Sequence, residues 1–226
     1  MKSNRRKTMI LPVLTLGVLL FFNTNAFSAN DPQPIPGMPQ NGNSVIAQPG
    51  LTINPDAVFI PTDVLFDAKY GFPVRLGYRT VTEYYAESNY LELAYPHLVK
   101  KHVIGSSYEG VPIIALEISN APGANDGRPA TLHQAGLHAR EWPSNELALN
   151  TMWYLVTQYG KNDRVTELLD TTTCWFVPTI NPDGTHYDQR TNPGSWRKNR
   201  SHNGGTSYGV DLNRNWPFGW GSNNGS

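Results

Sequence analysis

The first helical pattern of the chain lies at residues 80–94, where Thr80 and Glu83 have the spacing of a capping box. Pro96 follows, and a proline there ends a helix because its nitrogen donates no hydrogen bond. Residues 98–119 then place apolar and β-branched positions on both sides of a glycine-containing turn. That stretch predicts two strands, the second from Val111 to Ile118.

The alternation of helix and strand patterns continues through the middle of the chain. Pro143 suits the first turn of a helix and Gly160 suits its end. The motif NPDG at 181–184 predicts a turn, and from Gly184 onward we expect mostly irregular backbone. The predicted elements are a strand at 130–137, a helix at 143–160, a short helix at 164–170 and a buried strand at 173–180.

Strands that alternate with helices indicate an α/β fold, in which a mixed β-sheet is sandwiched between helices. The globular pattern begins at about Leu76. Residues 30–50 are rich in Pro, Gly, Asn and Gln, and the whole segment 30–75 is interpreted as a linker or a short pro-segment.

The N-terminal residues 1–29 have the pattern of a signal peptide: a basic start, an apolar run and then small residues near Ala26. The apolar run from Met9 to Phe22 has 14 residues, whereas a membrane-spanning helix needs about 20. We expect cleavage between Ala26 and Asn30, and a secreted or periplasmic mature chain without a membrane segment.

The charge balance of the chain bears on which kinds of binding partner it could have. Without the four cations of its first 29 residues the chain keeps 14 Lys and Arg against 18 Asp and Glu, a net charge of −4 with neutral histidines. That balance does not favour nucleic acid or an anionic membrane as a partner. Cys174 is the single cysteine, and its apolar neighbours predict a buried thiol.

His138 and Glu141 are the first candidates for chemistry. Imidazole nitrogen and carboxylate oxygen are both zinc ligands, and a catalytic zinc takes three protein ligands and one water. Two ligands three residues apart can bind one ion from a single turn. Taken alone, the pair is better explained as a histidine at a strand end and a solvated glutamate, because such pairs occur by chance in many chains.

Two polar motifs follow downstream. Arg197 lies in a basic stretch at 196–200, and Asn213 and Arg214 lie in an aromatic, glycine-rich loop. Guanidinium groups bind carboxylates in a bidentate manner. The basic stretch could also be a solvated patch, and Asp211 with the asparagines around it could serve only turn formation.

Taken in order, the motifs GLHAREW, NPDG, WRKNR and GVDLNRNW resemble the zinc carboxypeptidase family of the carboxypeptidase A and T type. The stretch SSYEGVPIIALEIS is similar to the strand pair that opens the family's catalytic domain. The resemblance runs from about Tyr78 to the last residue. It implies the family's α/β fold, with residues 76–226 as the N-terminal part of a catalytic domain that is incomplete at its C-terminus.

For the metal, the resemblance implies one Zn²⁺ ion with His138 and Glu141 as its first two ligands. No residue matches the family's third ligand (a distant histidine), its glutamate general base or its mobile tyrosine. His133 lies an odd five residues before His138, on the opposite strand face, while His186 and His202 remain open as ligands. We therefore expect the chain to bind zinc poorly and to be inactive by itself.

For the substrate, the resemblance implies a peptide or protein with a free C-terminus. Arg140 matches a cation lining the substrate groove. Arg197 matches the arginine that polarises the scissile carbonyl and holds the oxyanion. Asn213 and Arg214 match the pair that binds the terminal carboxylate.

The implied function is that of a monomeric zinc metallocarboxypeptidase, which releases C-terminal amino acids through a zinc-activated water. Two alternatives remain open. One is a secreted module that binds peptide C-termini without cleaving them. The other is a zinc-dependent deacylase or amidase. We also expect a sheet edge and apolar surface to be exposed, and hence a tendency to aggregate.

Overall fold

The structure is a computed structural model that describes residues 53–59, 73, 77–191, 193–217 and 220. The predicted signal peptide and most of the predicted linker lie outside the described residues, so those expectations stay predictions. Within the described part of the chain, no helix combines the length and the apolarity needed to cross a membrane.

Helix α1, Val81–Ala94, begins as its capping box predicts. The Thr80 hydroxyl accepts from the backbone N–H of Glu83 at 3.3 Å, and the Glu83 carboxylate accepts from the backbone N–H of Thr80 at 2.7 Å. The short segment 53–59 lies against this helix. Its Phe59 N–H donates to the carbonyl of Ala86, and the Asn89 amide donates to the carbonyl of Ala57.

Among the described residues four strands form one mixed sheet, which confirms the predicted sheet. The strands are β1 Val99–Ser106, β2 Pro112–Ile118, β3 Ala130–Gln134 and β4 Thr173–Val177, and they lie side by side in the order β1-β2-β4-β3. The pairs β1–β2 and β2–β4 are antiparallel, whereas β3 and β4 are parallel. Because β3 and β4 are parallel, their carboxyl ends lie at the same edge of the sheet.

Three further α-helices lie in the described part of the chain, and the last of them differs from the expectation drawn from the sequence. They are α2 Trp142–Gln158, α3 Asp163–Thr171 and α4 Pro182–Thr191. The motif NPDG is the first turn of α4, so the expectation of an irregular chain from Gly184 was wrong up to Thr191. The Asn181 side chain accepts from the N–H of Gly184 at 3.1 Å, as a helix N-cap does.

The apolar core joins α1, α2 and α3 to one face of the sheet. Alternate residues of β2 and β4 point into it, including Leu116 and Phe176, as the period of a strand requires. Cys174 is buried among them, as predicted, and burial raises the pKa of its thiol.

Strand β3 differs from its neighbours because all five of its residues are exposed. Among the described residues it pairs only with β4, so it is an edge strand there. The Leu132 side chain is 68 % exposed, and the His133 ring stacks on Phe176 with centroids 4.7 Å apart.

Candidate active site

The loop after β3 is fixed by contacts to α2 and to the end of β4. Gly136 has a φ of 66°, and a Cβ on it would lie 2.4 Å from the Asn145 amide nitrogen, so glycine is required there. Its N–H donates to the hydroxyl of Ser144 at 3.0 Å, and the Asn145 amide donates to the carbonyl of Pro178 at 2.8 Å. The first bond joins the loop to α2 and the second joins α2 to the residue after β4, so residues 136–141 lie at the carboxyl edge of β3 and β4.

His138 and Glu141 face each other across one turn of this loop. The Nδ1 atom of His138 lies 2.9 Å from each carboxylate oxygen of Glu141. The His138 residue is buried, whereas the Glu141 side chain is 51 % exposed. One imidazole nitrogen and two carboxylate oxygens that converge in this way are a donor set that fits zinc.

The donor set comes from two residues. Within the described part of the chain, no group of three or more His, Cys, Asp and Glu side chains is arranged to hold a metal ion. The two histidines left open by the sequence have other neighbours: His186 lies 3.4 Å from the Arg190 guanidinium, and His202 lies 3.1 Å from the carbonyl of Gly205.

Asp211 is the site residue that the sequence analysis missed. Its Oδ1 lies 3.5 Å from Nε2 of His138, a buried nitrogen without a hydrogen bond in the structure. Its Oδ2 accepts from Nε of Arg197 at 3.0 Å, and its Oδ1 accepts from the N–H of Asn213 at 2.9 Å. A carboxylate beside the far nitrogen of a histidine fixes the orientation of the ring.

Asp211 also shapes the loop that carries it, because it caps the short 3₁₀ helix Leu212–Arg214. Burial acts to raise the pKa of Asp211, but the hydrogen bonds from Arg197 and the Asn213 amide hold it below its ordinary value. The sequence signal was its place inside GVDLNRNW, where turn formation alone explained an aspartate.

Arg197 joins the same cluster. Its Nη1 lies 3.7 Å from Oε1 of Glu141, in addition to its bond with Asp211. The backbone fixes this approach, since the carbonyl of Arg197 accepts from the N–H of Ala139 at 3.0 Å. The structure therefore brings His138, Glu141 and Arg197 together, although they come from two distant motifs.

The other predicted site residues lie at the surface. Arg140 is exposed on the turn between His138 and Glu141, and Asn213 and Arg214 are exposed on the 3₁₀ helix beside Asp211. The indole N–H of Trp216 donates to the Asn213 side-chain oxygen at 3.1 Å. The roles of these residues toward a substrate stay predictions.

The mixed sheet therefore places a histidine–glutamate pair and an arginine together at the carboxyl edge of two parallel strands, and these are residue types that metal-dependent hydrolases use. The family follows from the sequence as a whole. The zinc carboxypeptidase family model matches residues 84–226, and the chain belongs to this family.

Individual relatives agree. The chain is 36 % identical over 146 residues to a zinc carboxypeptidase of Saccharothrix mutabilis subsp. capreolus, covering 64 % of this chain and 33 % of the relative. It is 39 % identical over 145 residues to carboxypeptidase A2 of Rattus norvegicus, covering 64 % and 34 %. The chain thus spans about a third of the length of these curated relatives.

Solved structures show the same fold. The crystal structure of thrombin activatable fibrinolysis inhibitor superposes with a TM-score of 0.58 at 34 % identity, covering 63 % of this chain and 35 % of the other. The carboxypeptidase A from Helicoverpa armigera superposes with a TM-score of 0.59 at 30 % identity, covering 65 % and 35 %.

Proposed function

We propose that this chain carries the metal-binding and substrate-binding half-site of a zinc metallocarboxypeptidase that releases C-terminal amino acids from peptides. The observation that carries the proposal is the convergence of His138 Nδ1 and both Glu141 oxygens beside the guanidinium of Arg197. Family membership supports it, because the matched family is described as zinc carboxypeptidase.

The ion would be held by His138 and Glu141, while Asp211, 3.5 Å from the far nitrogen of His138, would orient the ring. Zinc bound there would lower the pKa of a water molecule to about 7 and so supply a nucleophile at neutral pH.

Arg197 supplies the positive charge that peptide hydrolysis needs. As the scissile carbonyl is attacked, negative charge develops on its oxygen, and a fixed cation stabilises that charge. The bond to Asp211 restrains the guanidinium before substrate arrives. A restrained group loses little freedom at the moment of reaction, which is why such preorganisation favours catalysis.

Asn213 and Arg214 would recognise the end of the substrate. A guanidinium can bind both oxygens of a terminal carboxylate, and an amide adds a further donor. Two observations support this role: both side chains are exposed on the 3₁₀ helix that Asp211 caps, and Asp211 accepts a hydrogen bond from Arg197. Arg140 adds a cation on the exposed turn between the two predicted metal ligands.

The test compares two peptides that differ only at the C-terminus, one a free acid and one an amide. We expect the full chain to bind the acid at least about tenfold more tightly, because the amide lacks the charge that Arg214 pairs with. The variant Arg214→Ala should lose this preference. Arg164→Ala, which removes an exposed arginine of α3, should keep it.

Equal binding of acid and amide by the unmodified chain would contradict the proposal. The same samples, supplied with zinc, are assayed for release of the C-terminal amino acid. Preference for the acid without release fits the proposed half-site, because the chain is expected to be inactive by itself; the peptide-binding module would be favoured only if zinc binding were also independent of His138 and Glu141. Release of an acyl group from small acyl-amino acids, with none from peptides, would favour the deacylase or amidase.

A further inference from the structure

Helix α4 ends beside the segment that carries Arg197, and the contact centres on a buried carboxylate. Asp188 of α4 is completely buried. Its Oδ1 accepts from the N–H groups of Ser195 at 3.0 Å and Trp196 at 2.6 Å, and its Oδ2 accepts from the N–H of Gly194 at 2.9 Å. Three successive amides before Arg197 therefore share one carboxylate, which makes up for its lost hydration.

A second contact follows Arg197. The guanidinium carbon of Arg200 lies 3.7 Å from the ring centroid of Tyr187, 4.5 Å from that of Tyr208 and 5.0 Å from that of Trp196. Tyr187 precedes Asp188 on α4, so the same turn of the helix holds the chain on both sides of Arg197. Guanidinium groups bind aromatic faces through the charge distribution of the ring.

A third contact lies at the start of the helix. The Asn181 side chain donates to the carbonyl of Lys198 at 3.1 Å. That carbonyl approaches α4 so closely that a Cβ on Gly184 would lie 2.4 Å from it. The backbone from 194 to 200 is thus fixed to α4 at residues before, beside and after Arg197.

We propose that Asp188 is a positioning residue for Arg197: by binding the amides of Gly194, Ser195 and Trp196, it sets the backbone from which the Arg197 guanidinium reaches Asp211 and Glu141. The inference rests on the proposed function, in which Arg197 stabilises developing negative charge. Such a cation acts only when its supporting residues hold it in the productive geometry.

The chain offers a matched control on the same helix. Asp183 is also an aspartate of α4 and is 2 % exposed. Its carboxylate accepts from the Ser107 hydroxyl at 2.7 Å and from the N–H of Glu109 at 2.9 Å. It therefore binds the turn between β1 and β2, while Asp188 binds the turn before Arg197.

The experiment compares Asp188→Asn with Asp183→Asn in the full chain. Nitrogen-15 NMR follows hydrogen exchange at Nε–H of Arg197, which donates to Asp211 at 3.0 Å, and at the amides of Gly194, Ser195 and Trp196. The Nε signal is assigned by its loss in Arg197→Lys. We expect Asp188→Asn to speed exchange at all four sites by at least about tenfold, the factor lost with one charge-assisted hydrogen bond.

Asp183→Asn should leave these four rates within about twofold of the unmodified chain, a difference of less than half a kcal/mol in opening free energy. Equal acceleration in both variants would show a general loss of stability and would overturn the inference. Unchanged Arg197 exchange in Asp188→Asn would overturn it as well.

If Asp188→Asn does not fold, hydrogen exchange in the unmodified chain still tests the positioning role of Asp188. Exchange at Arg197 Nε–H and at the three amides should then respond to added urea with the same slope, because one local opening exposes all four groups. Different slopes would overturn the inference. Binding of the acid and amide peptides is measured separately, so a failure of the proposed function is distinguishable from a failure of the positioning role.

Discussion

The two ring nitrogens of His138 face different carboxylates, and this arrangement supports a metal-binding role for a residue pair that is common in proteins. Nδ1 faces the Glu141 carboxylate, while Nε2 faces Asp211 at 3.5 Å. A histidine whose far nitrogen meets a carboxylate has its ring orientation fixed and its metal-binding nitrogen made more basic. Asp211 in turn contacts Arg197, so the predicted metal ligand and the predicted oxyanion-binding cation share one orienting group.

The first prediction concerns metal binding. His138→Ala should weaken zinc binding by the full chain at least about tenfold, since loss of even an outer partner of a metal ligand costs about 10–100-fold in affinity. Competition with a chromophoric chelator measures the affinity. His133→Ala is the control, because its ring lies on β3 and contacts Thr131 at 3.1 Å. An equal loss in both variants would contradict the assignment.

The second prediction concerns pH. Burial and the nearby Arg190 hold the pKa of His186 below its ordinary value, while Asp183 partly offsets them. The unfolded chain, with a pKa near 6.5, therefore binds this proton more readily than the folded chain does. The contribution to stability is present above about pH 6.5 and is lost as the pH falls toward the lowered pKa.

Urea unfolding at pH 7.5 and 5.5 tests this sign. The unmodified chain should lose more stability between the two pH values than His186→Gln, which carries no titrating group at that position. Identical losses in the two proteins would show that His186 does not contribute. A larger loss in the variant would reverse the predicted direction.

At the scale of helices and strands, the sequence predicted the helix starts that are determined by local capping and proline signals. The capping box at Thr80 places the start of α1 correctly, and Pro143 lies in the first turn of α2 as expected. The motif at Asn181 was ambiguous, because an asparagine followed by proline begins a type I turn and a helix alike. Asp183 in the helix accepts a hydrogen bond from the distant Ser107, and local sequence does not reveal that contact.

The geometry of the site also depends on tertiary contacts that local sequence does not reveal. The residue types of its motifs suggested a metal and a carboxylate-binding function, but the distance between His138 and Arg197 depends on a backbone bond between residues 139 and 197. Asp211 was assigned only to turn formation because its second role requires that tertiary contact. The sequence therefore identified the types of the site residues and their order along the chain. Their spatial proximity depends on tertiary packing of α4 and of the strand ends.

The third prediction concerns how α1 and α2 are joined. Arg79 is 1 % exposed and binds the carboxylates of Glu87, at 2.6 Å, and Glu146. Arg79→Met should cost about 3–5 kcal/mol of unfolding free energy, because two carboxylates lose their buried cation. Chemical denaturation measures the change. Arg164→Met, on the exposed surface of α3, should change stability by less than about 0.5 kcal/mol.

A loss of less than about 1 kcal/mol in Arg79→Met would contradict this account, since that is the range of exposed ion pairs. It would mean that water replaces the arginine at the two carboxylates with little loss of stability. The position of Glu146 matters for the site. Glu146 lies in α2 beside Asn145, and Glu141 is the N-cap residue of the same helix. A shift of α2 would therefore displace a predicted metal ligand.

At the scale of the whole molecule, burial is uneven across the sheet. Strands β2 and β4 are largely buried, whereas every residue of β3 is exposed. An exposed edge strand presents unpaired backbone groups that can pair with another chain. Leu132 adds an apolar side chain to that strand.

The fourth prediction is that Leu132→Lys reduces aggregation of the full chain. A charged side chain on an edge strand opposes strand pairing between molecules, and the removed leucine gives up little burial because it is 68 % exposed. Leu147→Lys is the matched control, since this leucine is 69 % exposed but lies on helix α2. Light scattering at increasing protein concentration measures the effect, and urea unfolding checks that both variants keep their stability.

If strand pairing drives aggregation, Leu132→Lys should raise the concentration at which scattering begins, and Leu147→Lys should raise it less. Both substitutions add the same charge and remove the same amount of exposed apolar surface, so net charge and general hydrophobicity cannot separate them. Equal effects would attribute aggregation to those general properties and would remove β3 as its site. A larger effect of Leu147→Lys would instead assign the aggregation-prone surface to α2, the helix that begins after Glu141.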